Sequence, residues 1–137
     1  SALFIMIESE KKKVAPGEHD ALAIQNETFV SFLQILEDNF RRPLSVDFYA
    51  EKLFMSSRNL NLISQKIMNQ SVSELIETRK LTEAKHLLAH TSKSVSEIGF
   101  ELGYNEKSYF SKVFKKKSGQ TPSEFREEIT ALLDGTS

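Results

Sequence analysis

The sequence predicts an all-α protein of about seven helices, arranged as two helix-turn-helix units joined by one long helix. Three observations carry that expectation. Only three Pro and five Gly punctuate 137 residues. Apolar side chains recur at three- and four-residue intervals, and the alternation of a half-buried strand is scarce. Three Ser/Thr-x-x-Glu boxes, each able to satisfy two backbone donors at a helix start, stand directly ahead of such spacings.

Residues 1–25 read as an N-terminal tail or interdomain linker. A short apolar run, Leu3-Phe4-Ile5-Met6-Ile7, leads into Glu8-Ser9-Glu10-Lys11-Lys12-Lys13, and Pro16-Gly17 marks a turn. The chain opens on Ser1 rather than Met, as a piece of a longer protein would. Asn26 is the expected N-cap of the first helix, with Phe29, Phe32, Leu33, Leu36 and Phe40 on one face and Pro43 closing it. Ser45 caps a short helix carrying Val46, Tyr49, Ala50 and Leu53, and Ser56 or Ser57 opens another carrying Leu60, Ile63 and Ile67. The box Ser71-Val72-Ser73-Glu74 starts a long helix to about His90, with Leu75, Ile76, Ala84, Leu87 and Leu88 along it. A second box, Ser94 to Glu97, leads Ile98, Gly99 and Leu102 to a break at Gly103. Phe110, Val113 and Phe114 form the stripe of a helix ending near Gly119. The third box, Thr121-Pro122-Ser123-Glu124, places Pro at the first helical position, where its missing N–H costs nothing. Phe125, Ile129 and Leu132 or Leu133 continue that stripe. The first helix-turn-helix subdomain is therefore 26–70, the linker helix 71–92 and the second subdomain 93–137.

Composition is that of an ordinary soluble domain, 39% hydrophobic and 27% charged. The absence of Cys excludes a disulfide scaffold, a Cys-ligated zinc site and a thiol nucleophile, and fits a cytoplasmic protein. The Leu3–Ile7 run is too short to span a bilayer and lacks the flanks of a signal peptide, so no membrane partner is expected. The net charge of −1 is unevenly spread. Residues 1–78 hold 8 basic and 11 acidic side chains, 79–126 hold 10 and 5, and 127–137 hold 3 acidic ones alone. Binding to an anionic surface follows the local field, and the basic third has it.

Two segments repeat one another. Val46, Tyr49, Ala50 and Leu53 correspond to Val95, Ile98, Gly99 and Leu102 at an offset of 49; Leu60, Ile63 and Ile67 correspond to Phe110, Val113 and Lys117 at 50. Each unit is a short helix, a tight turn and a second helix. A small residue at Ala50 or Gly99 lets the two helices cross closely, Leu53 or Leu102 plugs the crossing, and the second helix projects its far face outward. Such a helix fits the B-DNA major groove. One unit alone would be an unremarkable helical hairpin. Two at matched spacing on one rigid helix can meet the same face of a duplex one turn, about 34 Å, apart.

From Phe29 to Arg126 the chain resembles the AraC/XylS DNA-binding domain. Ala84-Lys85-His86-Leu87-Leu88 followed by Thr91 is similar to that family's linker-helix end. The stretch from Ser94 to Arg126, with Glu97-Ile98-Gly99-Phe100, Leu102-Gly103-Tyr104, Ser108, Phe110, Phe114, Gly119 and Pro122, is close to the family signature throughout. The first unit departs from it. Phe54, Leu62, Ser64 and Asn69 stand where the family commonly has Gly, Arg, Phe and Gly. The resemblance implies homeodomain-like three-helix units and a bacterial activator bound to double-stranded DNA. Its recognition helices would be Ser57–Ile67 and Glu106–Lys117, inserted in successive major grooves. It also implies RNA polymerase as a partner, nucleoid association, and an N-terminal effector or dimerisation domain in the full-length protein. Phe48-Tyr49-Ala50 resembles members in which that domain is a small β-barrel sensor.

The base-reading positions the resemblance implies are Lys107, Ser108, Ser111 and Lys112 in the second unit and Arg58, Asn59, Asn61 and Leu62 in the first. Lys112 suits guanine O6 or N7, Asn suits adenine N6 and N7, and Leu62 a thymine methyl. Lys115, Lys116 and Lys117, at a helix end, suit phosphates, as does Ser57 near a helix start. Tyr109 reads as half-core. Arg79 on the linker helix is expected to hold the two units in register through an acidic partner such as Glu83, or to contact phosphate.

Two rival classes stand beside this. An enzyme would need a nucleophile, an acid–base pair or ligands. His86 and His90 have the i, i+4 spacing of a two-His metal clamp, but no Glu in the metalloprotease pattern and no third ligand accompanies them. No enzyme activity, metal or cofactor is expected. A helical protein-interaction module without direct DNA reading is the second rival, suited to the acidic first half.

Overall fold

The computed structural model describes residues 16–135, with side chains from Asp20 onward. Among them are seven α-helices and no strand. These are α1 Pro16–Asn39, α2 Val46–Lys52, α3 Ser57–Met68, α4 Val72–His90, α5 Val95–Glu101, α6 Lys107–Ser118 and α7 Pro122–Leu133. The all-α expectation and the order of elements hold.

The first helix begins earlier than its sequence suggests. Pro16-Gly17 is the opening of α1 and not a turn, and Asn26 lies inside the helix instead of capping it. Pro is well placed in a first helical turn, because the N–H it lacks has no partner there, and Ala21 and Ala23 favour continuation. The tail or linker assigned to 1–25 thus gives up residues 16–25 to α1. Its residues 1–15 lie outside the described residues.

The three capping boxes form as read. The Ser71, Ser94 and Thr121 side chains accept from the backbone N–H of Glu74, Glu97 and Glu124, and each Glu carboxylate accepts the N–H of its cap residue. Those charge-assisted bonds, first from the cap backbone and then from the cap hydroxyl, hold all three carboxyls below their ordinary range. Ser45 occupies the N-cap of α2 without a side-chain bond, whereas Ser56 caps α3 through the N–H of Asn59.

The linker helix α4 serves both units. Its first half closes a core in which Phe29, Phe32 and Leu36 of α1, with Phe40 just after it, meet Tyr49, Leu60 and Ile63, under Val72, Leu75 and Ile76. Phe32 and Tyr49 meet edge to face at 5.6 Å. Its second half, with Leu81, Ala84 and Leu88, backs the second unit's part of the same continuous core, Ile98, Leu102, Phe110, Val113 and Phe114. A chain of rings, Tyr104–Phe110–Phe114–Phe125, runs through that core at 5.2, 6.0 and 5.7 Å. Each ring withdrawn from water contributes about 1.5–3 kcal/mol before entropy is charged against it.

The stripes read from sequence overrun these cores. Leu33, Ile67, Leu132 and Leu133 are exposed. Helical spacing says which residues share a face, but not how far the facing helix extends. Along α7, which packs on α4, the Arg126 guanidinium donates to the Leu88 and Thr91 carbonyls at 3.0 and 3.3 Å. That bond satisfies acceptors freed at the C-terminus of α4.

Candidate nucleic-acid interface

The outward helices α3 and α6 are set by what lies beneath them. In the second unit, Gly99 sits against Phe110: a Cβ built at Gly99 would lie 3.0 Å from the ring's Cδ2 and Cγ. The absent side chain lets α5 and α6 approach closely enough for the whole ring to be buried. Gly119 ends α6 in a left-handed conformation, with its N–H donated to Lys115. In the first unit the equivalent pair is Ala50 and Leu60, both buried. Asn69, left-handed at φ 58, takes the place of Gly119, an exchange Asn tolerates better than most residues.

Phe110, Val113 and Phe114 are the buried face of α6. Away from it Ser108, Lys112, Lys115 and Lys116 are exposed and Ser111 is half-buried, and Lys107 is exposed as the first residue of the helix. Lys112 and Lys116 line one side of a shallow cleft with Glu77 and Tyr109. Lys117 differs from its neighbours, since its ammonium pairs with Glu77 of α4 at 3.5 Å. Tyr109 was expected to be half-core but is 56% exposed, with its ring 6.0 Å from that of Tyr104. It projects from the same helix as the lysines, one residue from the buried Phe110.

On α3 the readers are fewer. Arg58 and Asn59 are exposed, and Leu62 is 58% exposed at the position equivalent to Lys112. The Asn61 carboxamide oxygen accepts the Val72 N–H at 2.9 Å, so it is bound to the start of α4. Its equivalent, Ser111, faces no such demand, because the residue equivalent to Val72 is Pro122 and has no N–H. The Ser57 hydroxyl donates to the Asp47 carboxylate. The first unit therefore spends on its own structure two of the groups that the sequence assigns to DNA, and the second unit spends one.

Arg79 makes a two-pronged pair with Glu37 of α1, both bonds at 2.8 Å, and lies 3.8 Å from Glu83. Its guanidinium also stacks 3.9 Å from the Phe40 ring. The bond from Arg79 holds the Glu37 carboxyl below its usual range. Arg79 thus joins α4 to α1 within the first unit. A residue that sequence reasoning passed over does more: the Lys80 side chain is buried, and its ammonium donates to the carbonyls of Phe40, Arg42 and Leu102 at 2.5, 3.0 and 2.7 Å. A cation directly after Glu77-Thr78-Arg79 looks like helix surface; only the course of the neighbouring chain makes it interior.

Among the described residues, no three His, Cys, Asp or Glu side chains converge as metal ligands would. The His86 and His90 rings lie 4.8 Å apart on an exposed face. No helix among them is long and apolar enough to cross a membrane.

A family model described as a helix-turn-helix domain matches residues 49–128. The Msm operon regulatory protein of Streptococcus mutans is 33% identical over 96 residues, covering 70% of this chain and 34% of that protein. The regulatory protein SoxS of Salmonella typhimurium is 27% identical over 99 residues, covering 72% of this chain and 92% of its own. The chain spans less than half the length of the longer curated relatives it matches. Among solved structures, a transcriptional regulator from Chromobacterium violaceum, of the AraC-type DNA-binding domain-containing proteins, superposes with a TM-score of 0.71 at 27% identity. That match covers 78% of this chain and 96% of the other.

Proposed function

The chain belongs to the AraC-type family of helix-turn-helix DNA-binding domains, and on that premise we propose that it reads double-stranded DNA through α3 and α6 as part of a transcription regulator. The observation that carries the reading is the face of α6: Lys112, Lys115 and Lys116 are exposed on the side away from Phe110, Val113 and Phe114, and Lys107 is exposed at the head of the same helix. In this reading Lys112, with Lys107, Ser108 and Ser111, meets base edges, and Lys115 and Lys116 meet phosphates. Arg58, Asn59 and Leu62 supply a lesser contact from α3. The two helices enter successive major grooves, so one chain recognises a site without internal two-fold symmetry. The greater length of the relatives supports an effector or dimerisation domain elsewhere in the full protein, and contact with RNA polymerase belongs to the same reading.

Two substitutions test it, using duplexes selected by the protein from a random pool. Lys112→Ala should cost about 1–3 kcal/mol on the selected site and relax the preference at one base position. Lys116→Ala should weaken selected and random duplexes alike and lower the salt slope by roughly one unit. Equal losses on selected and random DNA for both variants would refute this division of roles. DNA binding that persisted with all four lysines replaced would refute α6 as the binding face, and a parent protein that enriches no duplex would favour a protein-interaction module instead.

A further inference from the structure

Two reading helices serve one duplex only if one unit is fixed against the other. The linker helix alone does not do that, since each unit could roll about the shared rod. A second contact spans them, and it is built around Lys80. This side chain leaves the middle of α4 and places all three of its N–H donors on carbonyl oxygens. Two of these, from Phe40 and Arg42, belong to the loop that follows α1, in the first unit. The third, from Leu102, is the C-cap of α5 in the second. The Tyr104 ring packs 5.8 Å from the same ammonium.

The residue after Leu102 completes the contact. Gly103 has φ +87, and a Cβ there would lie 2.9 Å from both the Arg41 carbonyl oxygen and the Pro43 nitrogen. The turn of the second unit is thus pressed backbone to backbone on the loop of the first. The equivalent turn residue in the first unit, Phe54, is also left-handed, at φ 56, yet projects into solvent at 96% exposure. Each turn needs the left-handed conformation, but only Gly103 must also lack a side chain, because only it docks on the other unit. Burying the Lys80 ammonium pushes it down to about 8 and so works against placing a cation there. An apolar residue would carry no such burden but could not bridge three carbonyls from two units.

We propose that Lys80, together with the docking of Gly103, is a positioning residue that fixes the separation and roll of α3 and α6, and thereby the base-pair spacing between the two halves of the DNA site. The inference rests on the DNA reading above. Inserting or deleting one base pair moves one half-site by roughly 3.4 Å and turns it by about 34°. A locked pair of helices cannot follow that displacement, and an unlocked pair can.

The experiment uses the whole chain and its selected bipartite duplex, with one base pair inserted or removed between the halves. The parent protein and Lys80→Arg, which keeps several donors, should each lose on the order of tenfold in affinity when the spacing changes. Lys80→Met, which fills a similar volume without donors, should bind all three spacings within about threefold of one another. If Lys80→Met keeps the parent's spacing penalty, the lock is refuted and the DNA reading stands. If the parent enriches no duplex, the DNA reading itself falls and this inference with it. Should Lys80→Met fail to fold, Gly103→Ala supplies the same readout. Its Cβ lifts the turn from the Arg41–Pro43 backbone, so the preferred spacing should broaden or shift; an unchanged optimum would refute the lock.

Discussion

The crossing under α6 permits a worked test. Gly99 and Phe110 divide the available space as nothing and a ring, while Ala50 and Leu60 divide the equivalent space as a methyl and an isobutyl group. If the two pairs are alternative solutions to one packing problem, each half of the Gly99–Phe110 pair should fail without the other. Gly99→Ala gains about 1 kcal/mol of helix propensity. Its Cβ, however, meets three Phe110 carbons at 3.0 to 3.2 Å. Phe110 is fully buried, with Tyr104 and Phe114 on either side. It cannot retreat without disturbing them, and overpacking of this kind costs about 1–3 kcal/mol. The net loss is then roughly 0–2 kcal/mol. Phe110→Leu alone leaves a void beside a residue with no side chain, a loss on the order of 1–2 kcal/mol. Together, the substitutions recreate the first unit's pair. The double variant should therefore be more stable than the sum of the single losses predicts, by about 1–2 kcal/mol, within the range for residues in contact. Urea unfolding at constant m measures all four corners of the cycle. Strictly additive losses would show that Gly99 is not there to admit the ring.

Asn61→Ala strands the Val72 N–H at the head of α4 and should cost about 1–2 kcal/mol in stability. Ser111→Ala should cost almost none, because Pro122 has no N–H to satisfy; thermal melts of the two variants decide this, and equal losses would count against the assignment. The carboxyls of Glu74, Glu97 and Glu124 titrate lower in the folded chain than in the unfolded one. Their contribution is complete above the ordinary carboxylate range and disappears as the pH falls through the lowered folded values. Replacing all three by Gln should flatten the acid limb of the stability profile, and an acid limb as steep as the parent's would contradict the capping account.

The elements that were legible in the sequence are those with local causes. A box such as Ser94 to Glu97 names its own helix start, because both of its bonds lie within four residues. The outward face of α6 was legible for a related reason: the positions of Phe110, Val113 and Phe114 dictate where Lys112 and Lys116 must point. The first helix was misjudged by ten residues, because Pro-Gly is compatible with both a turn and a first helical turn, and nothing nearby decides between them. The roles of Asn61 and Lys80 were illegible for a different reason. Each depends on a backbone group far along the chain, Val72 N–H in one case and the carbonyls of Phe40, Arg42 and Leu102 in the other. Spacing on one helix carries no information about which distant atom will arrive opposite it.

The two units solve one packing problem in two ways. The second unit fills its core with its own rings, so Phe114 is buried where the first unit has Ser64. Ser64 contributes little volume and instead donates to the Gln70 carbonyl at 2.6 Å. The missing ring is supplied from outside the repeat, by Phe29 and Phe32 of α1 and Phe40 just after it, and Arg79 pairs with Glu37 on that helix. A unit that leans on α1 and α4 in this way also spends surface groups on them: Asn61 binds α4, and Ser57 is held by Asp47. What remains outward on α3 is Arg58, Asn59, Gln65, Lys66 and the apolar Leu62, Ile67 and Met68. Salt-dependent affinity scales with the number of phosphates neutralised. On the DNA-binding reading, the four free lysines of α6 therefore set most of the affinity, while α3, coupled through Lys80, contributes through register: it binds weakly alone but penalises any site whose second half lies at the wrong distance.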